Sequence, residues 1–582
     1  MKDKTAVNIV IGGAAGQGLA TIGRLLVGML VKSGYSVCAW QEFESRIRGG
    51  HNTFSVSASA DPRLGAREGI DILVALSEKT VGLHEQNLAE KGIVIREETD
   101  SEAASSRFLD VPFNDLVSGK FTNSAALGVV AGILGLDGKM VLAEVETFFG
   151  EGKAHAVKST QESIAKGIDW VRERNIDFPA VSPAKDKGPR SVMSGHEAVA
   201  LGALSAGMKF YSFYPMSPST SIADALLRWA EEMEVVVEQC EDEIAVLNMA
   251  LGASFAGAPS MVGTSGGGFA LMTEAVSLAG VSETPVVIVV AQRPGPATGL
   301  PTKTAQSDLE FVLHGGHGEF PRVIFAPGTV EECFHITRKA FEMAGLIQGP
   351  VIVLTDQFLA DHYTDIEPFD LDGLDPVSWG YPPADGTSEF LSYRFTEAGV
   401  SPRLFPGLTT RLGSPYDIEQ LVIGDSHEHT EDGHVTEDPS VRRRMVDKRM
   451  RKESVIRKHL VPVQVEGDSE PDLLIVSWGS TKGATRAAAD ALRAKGRKVG
   501  TLHLTQVWPL PAEDLLRHLR SAHLVACVEG NATGQLAGLI RRETGFAIHR
   551  NILQYDGRPI MPEWILREID RIESGADDGG KR

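Results

Sequence analysis

EQCEDEIAVLNMALGAS (238–254) decides how the chain folds. It begins inside VVVEQ (235–239), a β-branched run that suits a buried strand. The chain then meets three acids, Glu241, Asp242 and Glu243, and passes into an apolar run of small residues. That is a strand turning into a helix. A carboxylate in the first helical turn is favoured by the unpaired N–H groups there. Ala245, Met249, Ala253 and Ala256 are expected to let the helix press against a neighbour. Glu243 and Gly252 stand nine positions apart, followed by Ala253. On its own the pattern serves an ordinary strand–helix junction as well as a working carboxylate.

Around this stretch, strands and helices alternate. FYSFYP, VVVEQ, APSMVGTS, PVVIVVAQR and PVIVLTD read as strands separated by helical runs such as GHEAVALGALSAG (195–207). Such alternation predicts a doubly wound parallel sheet. N-terminal to it, VNIVI (7–11), the turn GGAAGQG (12–18) and the helix LATIGRLLVGMLVKSG (19–34) open another α/β unit. YSVCAW, DILVAL and Gly92–Arg96 are its further strands, and the Pro/Lys-rich FPAVSPAKDKGPR (178–190) closes it. LLIVSWGS, KVGTLHL and HLVACVEGN make a third unit. The expected division is 1–185, 190–425, a polar linker with a basic helix over 426–465, and 466–582. The helix SVRRRMVDKRMRKESVIRKH (440–459) reads as a solvated connector.

Composition bounds the function. The 582 residues carry a formal charge of −20, which argues against a nucleic-acid surface. No apolar run reaches the roughly 20 residues that span a bilayer. The N-terminus enters a strand without a signal-type apolar segment, so a cytoplasmic protein is expected. Cys38, Cys240, Cys333 and Cys527 are scattered, with no CxxC pair for zinc or an iron–sulfur cluster.

Three further motifs sit where open sheets place ligands. YPMSPST (214–220) is a rigid turn offering the hydroxyls of Ser217, Ser219 and Thr220, to a carboxylate or to the following helix as a cap. GTSGGGF (263–269) lets a backbone or a flat ring approach closely, and lacks the Gly-Lys-Ser/Thr of a phosphate loop. RPGPATGLPTKTAQSDL (293–309) puts Arg293 at a strand end, with Thr298 five residues on. That pair suits a carboxylate, or Arg293 could meet a structural acid. The glycines Gly12, Gly13, Gly16 and Gly18 do not fit G-x-G-x-x-G. GDSHEHTEDGH (424–434) could hold a metal, but reads more simply as an exposed charged loop.

Together YPMSPST, EDEIAVLNMALGAS, GTSGGGF and the Arg293 loop resemble the α subunit of 2-oxoacid:ferredoxin oxidoreductases. GGAAGQG and SRIRGGHNTFSV resemble the γ unit of the same enzymes, fused ahead of α, and VEGNATGQL (528–536) resembles their transketolase-C-like domain. The implied fold is α/β in three domains: a γ-type domain, a pyrimidine-binding thiamine-diphosphate domain and a transketolase-C-like domain. The resemblance implies that Glu243 activates thiamine diphosphate through N1′ of its aminopyrimidine, with Glu241 as the rival. It implies substrate contacts by Tyr214, Pro215, Ser217, Ser219, Thr220, Arg293 and Thr298. Ser217 stands where the family pattern has threonine. Cofactor and coenzyme A contacts are implied at Gly12, Gly13, Gly16, Gly18, Ser45, Arg46, Arg48, Gly49, Ser265 and Gly266. For Arg46 and Arg48 an interface role is equally open.

No GDG…N segment for Mg²⁺ and pyrophosphate is present. The resemblance places that motif, Mg²⁺ and a [4Fe–4S] cluster in a β subunit. The chain is then half of an active site, within an (αβ)2 heterotetramer serving ferredoxin. The expected reaction is oxidative decarboxylation of 2-oxoglutarate to succinyl-CoA, or its reverse in the reductive TCA cycle. Pyruvate, a branched-chain 2-oxoacid and indolepyruvate are alternatives. So are a non-redox transketolase-type subunit and a non-catalytic γ–α relic.

Overall fold

The computed structural model describes residues 6–44, 50–61, 65–98, 107–150, 152–176, 178–179, 181–183, 188–379, 390–406 and 422–575. Three sheets organise them. The middle sheet has the strand order Gln506–Trp508, Val323–Phe325, Pro350–Asp356, Val286–Gln292, Ser260–Thr264, Phe210–Phe213, Val236–Gln239. All neighbours are parallel except Gln506–Trp508, which pairs antiparallel with Val323–Phe325. The centre is Val286–Gln292 (VVIVVAQ), every residue buried. A continuous apolar run is what a strand covered by helices on both faces requires. The expected doubly wound sheet is therefore present, and the polar ends of its strands gather on one edge.

The other two sheets are stitched to it. The eight-stranded N-terminal sheet ends with Tyr363–Ile366 and Ser191–Ser194, both from outside the N-terminal segment. Tyr363 pairs with Ala39 and Thr364 with Cys38. The five-stranded C-terminal sheet runs Gln464–Gly467, Val499–Leu504, Leu473–Trp478, Leu524–Glu529, Arg550–Leu553, parallel but for its first strand. Its own segment lends Gln506–Trp508 to the middle sheet. One apolar cluster runs from Val246 and Phe269 through Ile288 to Trp478 and Leu536, joining the middle and C-terminal cores.

The helix Pro439–Lys458 corrects the reading of 440–459 as a solvated connector. Met445, Lys448, Arg449, Lys452 and Ile456 are buried. Lys448 donates to Glu283 at 2.6 Å, and Lys452 lies 2.5 Å from the other carboxylate oxygen. Arg449 and Arg442 clamp Glu428. The 424–434 loop is correspondingly less exposed than expected: His429 is buried, its ring 3.9 Å from that of Tyr393. Among the described residues no group of three or more His, Cys, Asp or Glu could hold a metal ion, and no helix is long and apolar enough to cross a membrane.

Candidate active site

Glu243 opens the helix Glu243–Phe255 as expected. Asp242 caps it, its Oδ1 accepting from Ala245 N at 2.8 Å. Capping turns Glu243 inward, where it is 3% exposed, while its rival Glu241 stays at the surface. Oε1 of Glu243 is buried and has no hydrogen-bond partner. A buried carboxylate oxygen without a donor is costly, so one that persists marks a missing partner. The glycine run explains its approach. A Cβ on Gly268 would lie 2.6 Å from Glu243 Oε1. Gly263 likewise makes room for the hydroxyl of Tyr211, also buried and unpartnered.

Of the residues expected to press this helix against a neighbour, Ala245 packs on the core and Ala253 is half-buried, while Met249 and Ala256 are exposed. Val246, Leu247, Ala250, Leu251 and Ser254 are buried. Met249 is 41% exposed, and among the described residues nothing outside the helix's own backbone lies within 4 Å of a Cβ built on Gly252. Ile244 at 52% and Leu271 at 50%, on this helix and on Gly266–Val281, extend the outward apolar surface.

YPMSPST reaches the same turn. Ser265 donates to the thioether of Met216. Tyr214, Pro215 and Ser217 are exposed and Thr220 half-buried, but Ser219 is only 1% exposed and spends its hydroxyl on Met216 O at 2.8 Å. That corrects its expected place among the offered hydroxyls. Arg293 leaves the end of Val286–Gln292, and its Nη1 donates to Ser217 O at 2.7 Å. One donor thus ties the guanidinium to the YPMSPST turn. Thr298 lies on the exposed turn beyond it.

Sequence reasoning missed Asp308, Lys303 and Gln306, although all three lie in the quoted Arg293 loop. Asp308 packs on the GGG turn: a Cβ on Gly266 would lie 2.7 Å from its Cγ. Burial pushes the Asp308 carboxyl up to about 6, against the pull of Arg293. Lys303 pairs with Glu42 at 2.6 Å and Thr302 donates to Phe43 O at 2.8 Å, tying the loop to the N-terminal domain. Gln306 holds the C-terminal domain through Trp478 O at 2.8 Å and Gly530 N at 2.9 Å. Their side-chain types carry no motif; only their place in the loop marks them.

The N-terminal Gly-rich turn borders a separate cavity of about 1120 Å³. Gly16 and Gly18, at φ 92 and 70, line it beside Arg96, Lys120 and Asn123. Gly12 and Gly13 do not; they sit in the strand Ala6–Ala14 against Thr80 and Gln17. Ser45, Arg46, Arg48 and Gly49 lie outside the described residues.

Comparison with known proteins accords with this arrangement. A profile described as pyruvate flavodoxin/ferredoxin oxidoreductase, thiamine diphosphate-binding, matches residues 201–388. A pyruvate ferredoxin/flavodoxin oxidoreductase profile matches 8–170, and pyruvate:ferredoxin oxidoreductase core domain II matches 471–565. A 2-oxoacid:ferredoxin oxidoreductase subunit alpha from Sulfolobus sp is 30% identical over 98% of this chain and 97% of its own length. The chain belongs to the 2-oxoacid:ferredoxin oxidoreductase α-subunit family. Another member of related name, 2-oxoglutarate synthase subunit KorA of Archaeoglobus fulgidus, is 31% identical across 65% of this chain and 98% of its own. Among solved structures, 2-oxoglutarate:ferredoxin oxidoreductase from Magnetococcus marinus, with 2-oxoglutarate, coenzyme A and succinyl-CoA bound, superposes at TM-score 0.90. It covers 98% of this chain and 99% of that one at 28% identity. The three-domain α/β architecture expected of this α-subunit family is the one observed.

Proposed function

We propose that this oxidoreductase subunit acts on 2-oxoglutarate, with thiamine diphosphate and coenzyme A, as one half of an active site that a β subunit completes. The observation that carries the reading is the buried, unpartnered Oε1 of Glu243 against side-chain-free Gly268. An N–H or ring nitrogen of a flat cofactor, entering over the glycine run, fits that vacancy of hydrogen bonding. Thiamine diphosphate, when bound, supplies the electron sink on which a 2-oxoacid loses CO2. Glu243 Oε1 would stand against the cofactor ring, placed for proton transfer with it. Arg293, fixed by Ser217 O, keeps its other N–H donors for a substrate carboxylate.

The Magnetococcus marinus likeness over 98% of the chain favours 2-oxoglutarate and the coenzyme A acceptor. The N-terminal cavity is lined by Lys120 and by Arg96, whose Nε is paired with Asp110 at 2.6 Å, cations suited to the phosphates of coenzyme A. The outward apolar face of Ile244, Met249 and Leu271 supports a β subunit docking beside Glu243. That subunit would bring Mg²⁺ and the [4Fe–4S] cluster and pass electrons to ferredoxin.

Co-expression with a β-type subunit, followed by viologen reduction across a panel of 2-oxoacids, tests this. Highest kcat/KM with 2-oxoglutarate, dependent on coenzyme A, is expected. A preference for pyruvate would change the substrate and keep the chemistry. Absence of any 2-oxoacid-dependent reduction in the assembled complex would remove the proposal.

A further inference from the structure

We propose that Asp308 is a positioning residue that takes up one proton when a 2-oxoacid carboxylate binds at Arg293. The inference rests on the reading of Arg293 as a carboxylate grip and adds to it a built-in proton linkage.

Asp308 is held rigidly. Its backbone N–H donates to Gln292 Oε1 at 3.0 Å, and Gln292 Nε2 donates in turn to Thr355 O at 3.1 Å. This fixes the carboxyl against Gly266, at the turn where Glu243 meets Gly268. Its Oδ2 is buried and has no hydrogen-bond partner. The other charged groups on the packed elements are few. Arg293 stands at the end of Val286–Gln292, and its charge favours ionised Asp308. Glu243 faces Gly268 from its own helix. On the helix Leu309–His314, Glu310 is taken by Arg542 and His314, each at 3.2 Å. Lys303 is taken by Glu42. Among the described residues Arg293 is thus the cation whose charge acts on Asp308, and it turns Nη1 to Ser217 O instead.

The consequence is electrostatic. Burial already disfavours ionised Asp308, with only Arg293 opposing. A substrate carboxylate on Arg293 takes up that opposing charge and adds a second anion to a poorly hydrated site. Two carboxylates that share one cation in a poorly hydrated site raise the pKa of the weaker acid, which then retains a proton. The 2-oxoacid carboxyl is the stronger acid, so the proton comes from solvent to Asp308. Oδ2–H then becomes a donor at a place where the free protein has an orphaned acceptor. Binding is therefore tighter at lower pH, by up to about tenfold per pH unit where one proton is taken up.

The test uses the assembled complex loaded with cofactor, and glutarate, a dicarboxylate that lacks the reacting keto group. Calorimetric titration between pH 6.5 and 8.5, in two buffers of different ionisation enthalpy, counts the protons bound. Wild type is expected to take up close to one proton and to lose affinity as pH rises. Asp308→Asn is expected to bind glutarate with no proton uptake and a flat pH profile, at unchanged melting temperature and cofactor loading. An equal pH slope and equal uptake in Asp308→Asn and wild type would overturn the inference. So would absence of uptake in wild type. Arg293→Lys separates the two readings. If it weakens glutarate binding while Asp308→Asn leaves the pH slope intact, only the proton linkage fails. If it leaves binding unchanged, the Arg293 site itself fails.

Discussion

Glu243 shows what can be read from one residue's place in a sequence and what cannot. Its interval to Gly252 and Ala253 favours it over Glu241, and the Asp242 cap turns Glu243 inward and leaves Glu241 outside. That an oxygen would be left without a partner was not legible, because the glycine it faces is 25 residues on. Glu243→Ala in the assembled complex is expected to lower turnover by roughly 10²–10⁴ with assembly intact, and Glu241→Ala to do far less. Steady-state rates of the two variants compare them directly, and a reversed order would discard Glu243. Ser219 shows the opposite outcome. A hydroxyl in a Pro-Ser-Thr turn looks available, yet its own turn carbonyl, Met216 O, consumes it. Arg293→Lys should raise the KM for 2-oxoacid although the charge is kept. Lysine cannot donate to Ser217 O and present parallel donors to a carboxylate at once. An unchanged KM for both 2-oxoglutarate and pyruvate would take Arg293 out of the site.

Elements were easier to find than to orient. The helix at Pro439–Lys458 is plain from its composition, capped by Asp438 with Pro439 at its first turn. Its buried face is not, because the residue that neutralises Lys448 and Lys452 is Glu283, more than 160 positions earlier. Burial pushes the Glu283 carboxyl up, but the two ammonium groups outweigh it and hold it down to about 2. A carboxylate lowered in the folded state stabilises above its unfolded pKa. That contribution is lost as pH falls from about 4.5 towards 2. Glu283→Gln leaves two buried ammonium groups uncompensated and is expected to cost about 3–5 kcal/mol. Denaturant titrations at pH 7 and at pH 3 read both claims. The deficit of the variant should be largest at pH 7 and shrink at pH 3, and equal deficits at the two values would reject the ion-pair account.

At the scale of the whole molecule, the order of three α/β units was legible from strand–helix alternation, but their stitching was not. Tyr363–Ile366 and Gln506–Trp508 are too short to announce which sheet they join. Tyr363–Ile366 lies between Ser36–Glu42 and Ser191–Ser194, and Gln506–Trp508 on the open edge of Val323–Phe325, pairings that local sequence does not encode. The same holds for the outward face of Glu243–Phe255. Small and apolar residues there predicted packing; among the described residues Ala245 packs against the core, but Met249, Gly252 and Ala256 stay exposed. A face of Ile244, Met249 and Leu271, beside an unpartnered Glu243, makes sense if the contact is made by another subunit. Leu271→Asp and Met249→Lys put charges on positions that are 50% and 41% exposed in the single chain. Surface substitutions of this kind change stability by about 0.5 kcal/mol or less. In a closed interface each would bury an uncompensated charge, at a cost of several kcal/mol. The two variants are therefore expected to keep the melting temperature of the isolated chain and to lose co-purification with the β-type subunit, and with it cofactor-dependent 2-oxoacid oxidation. Assembly of the doubly substituted chain at wild-type yield would place the subunit contact on another face.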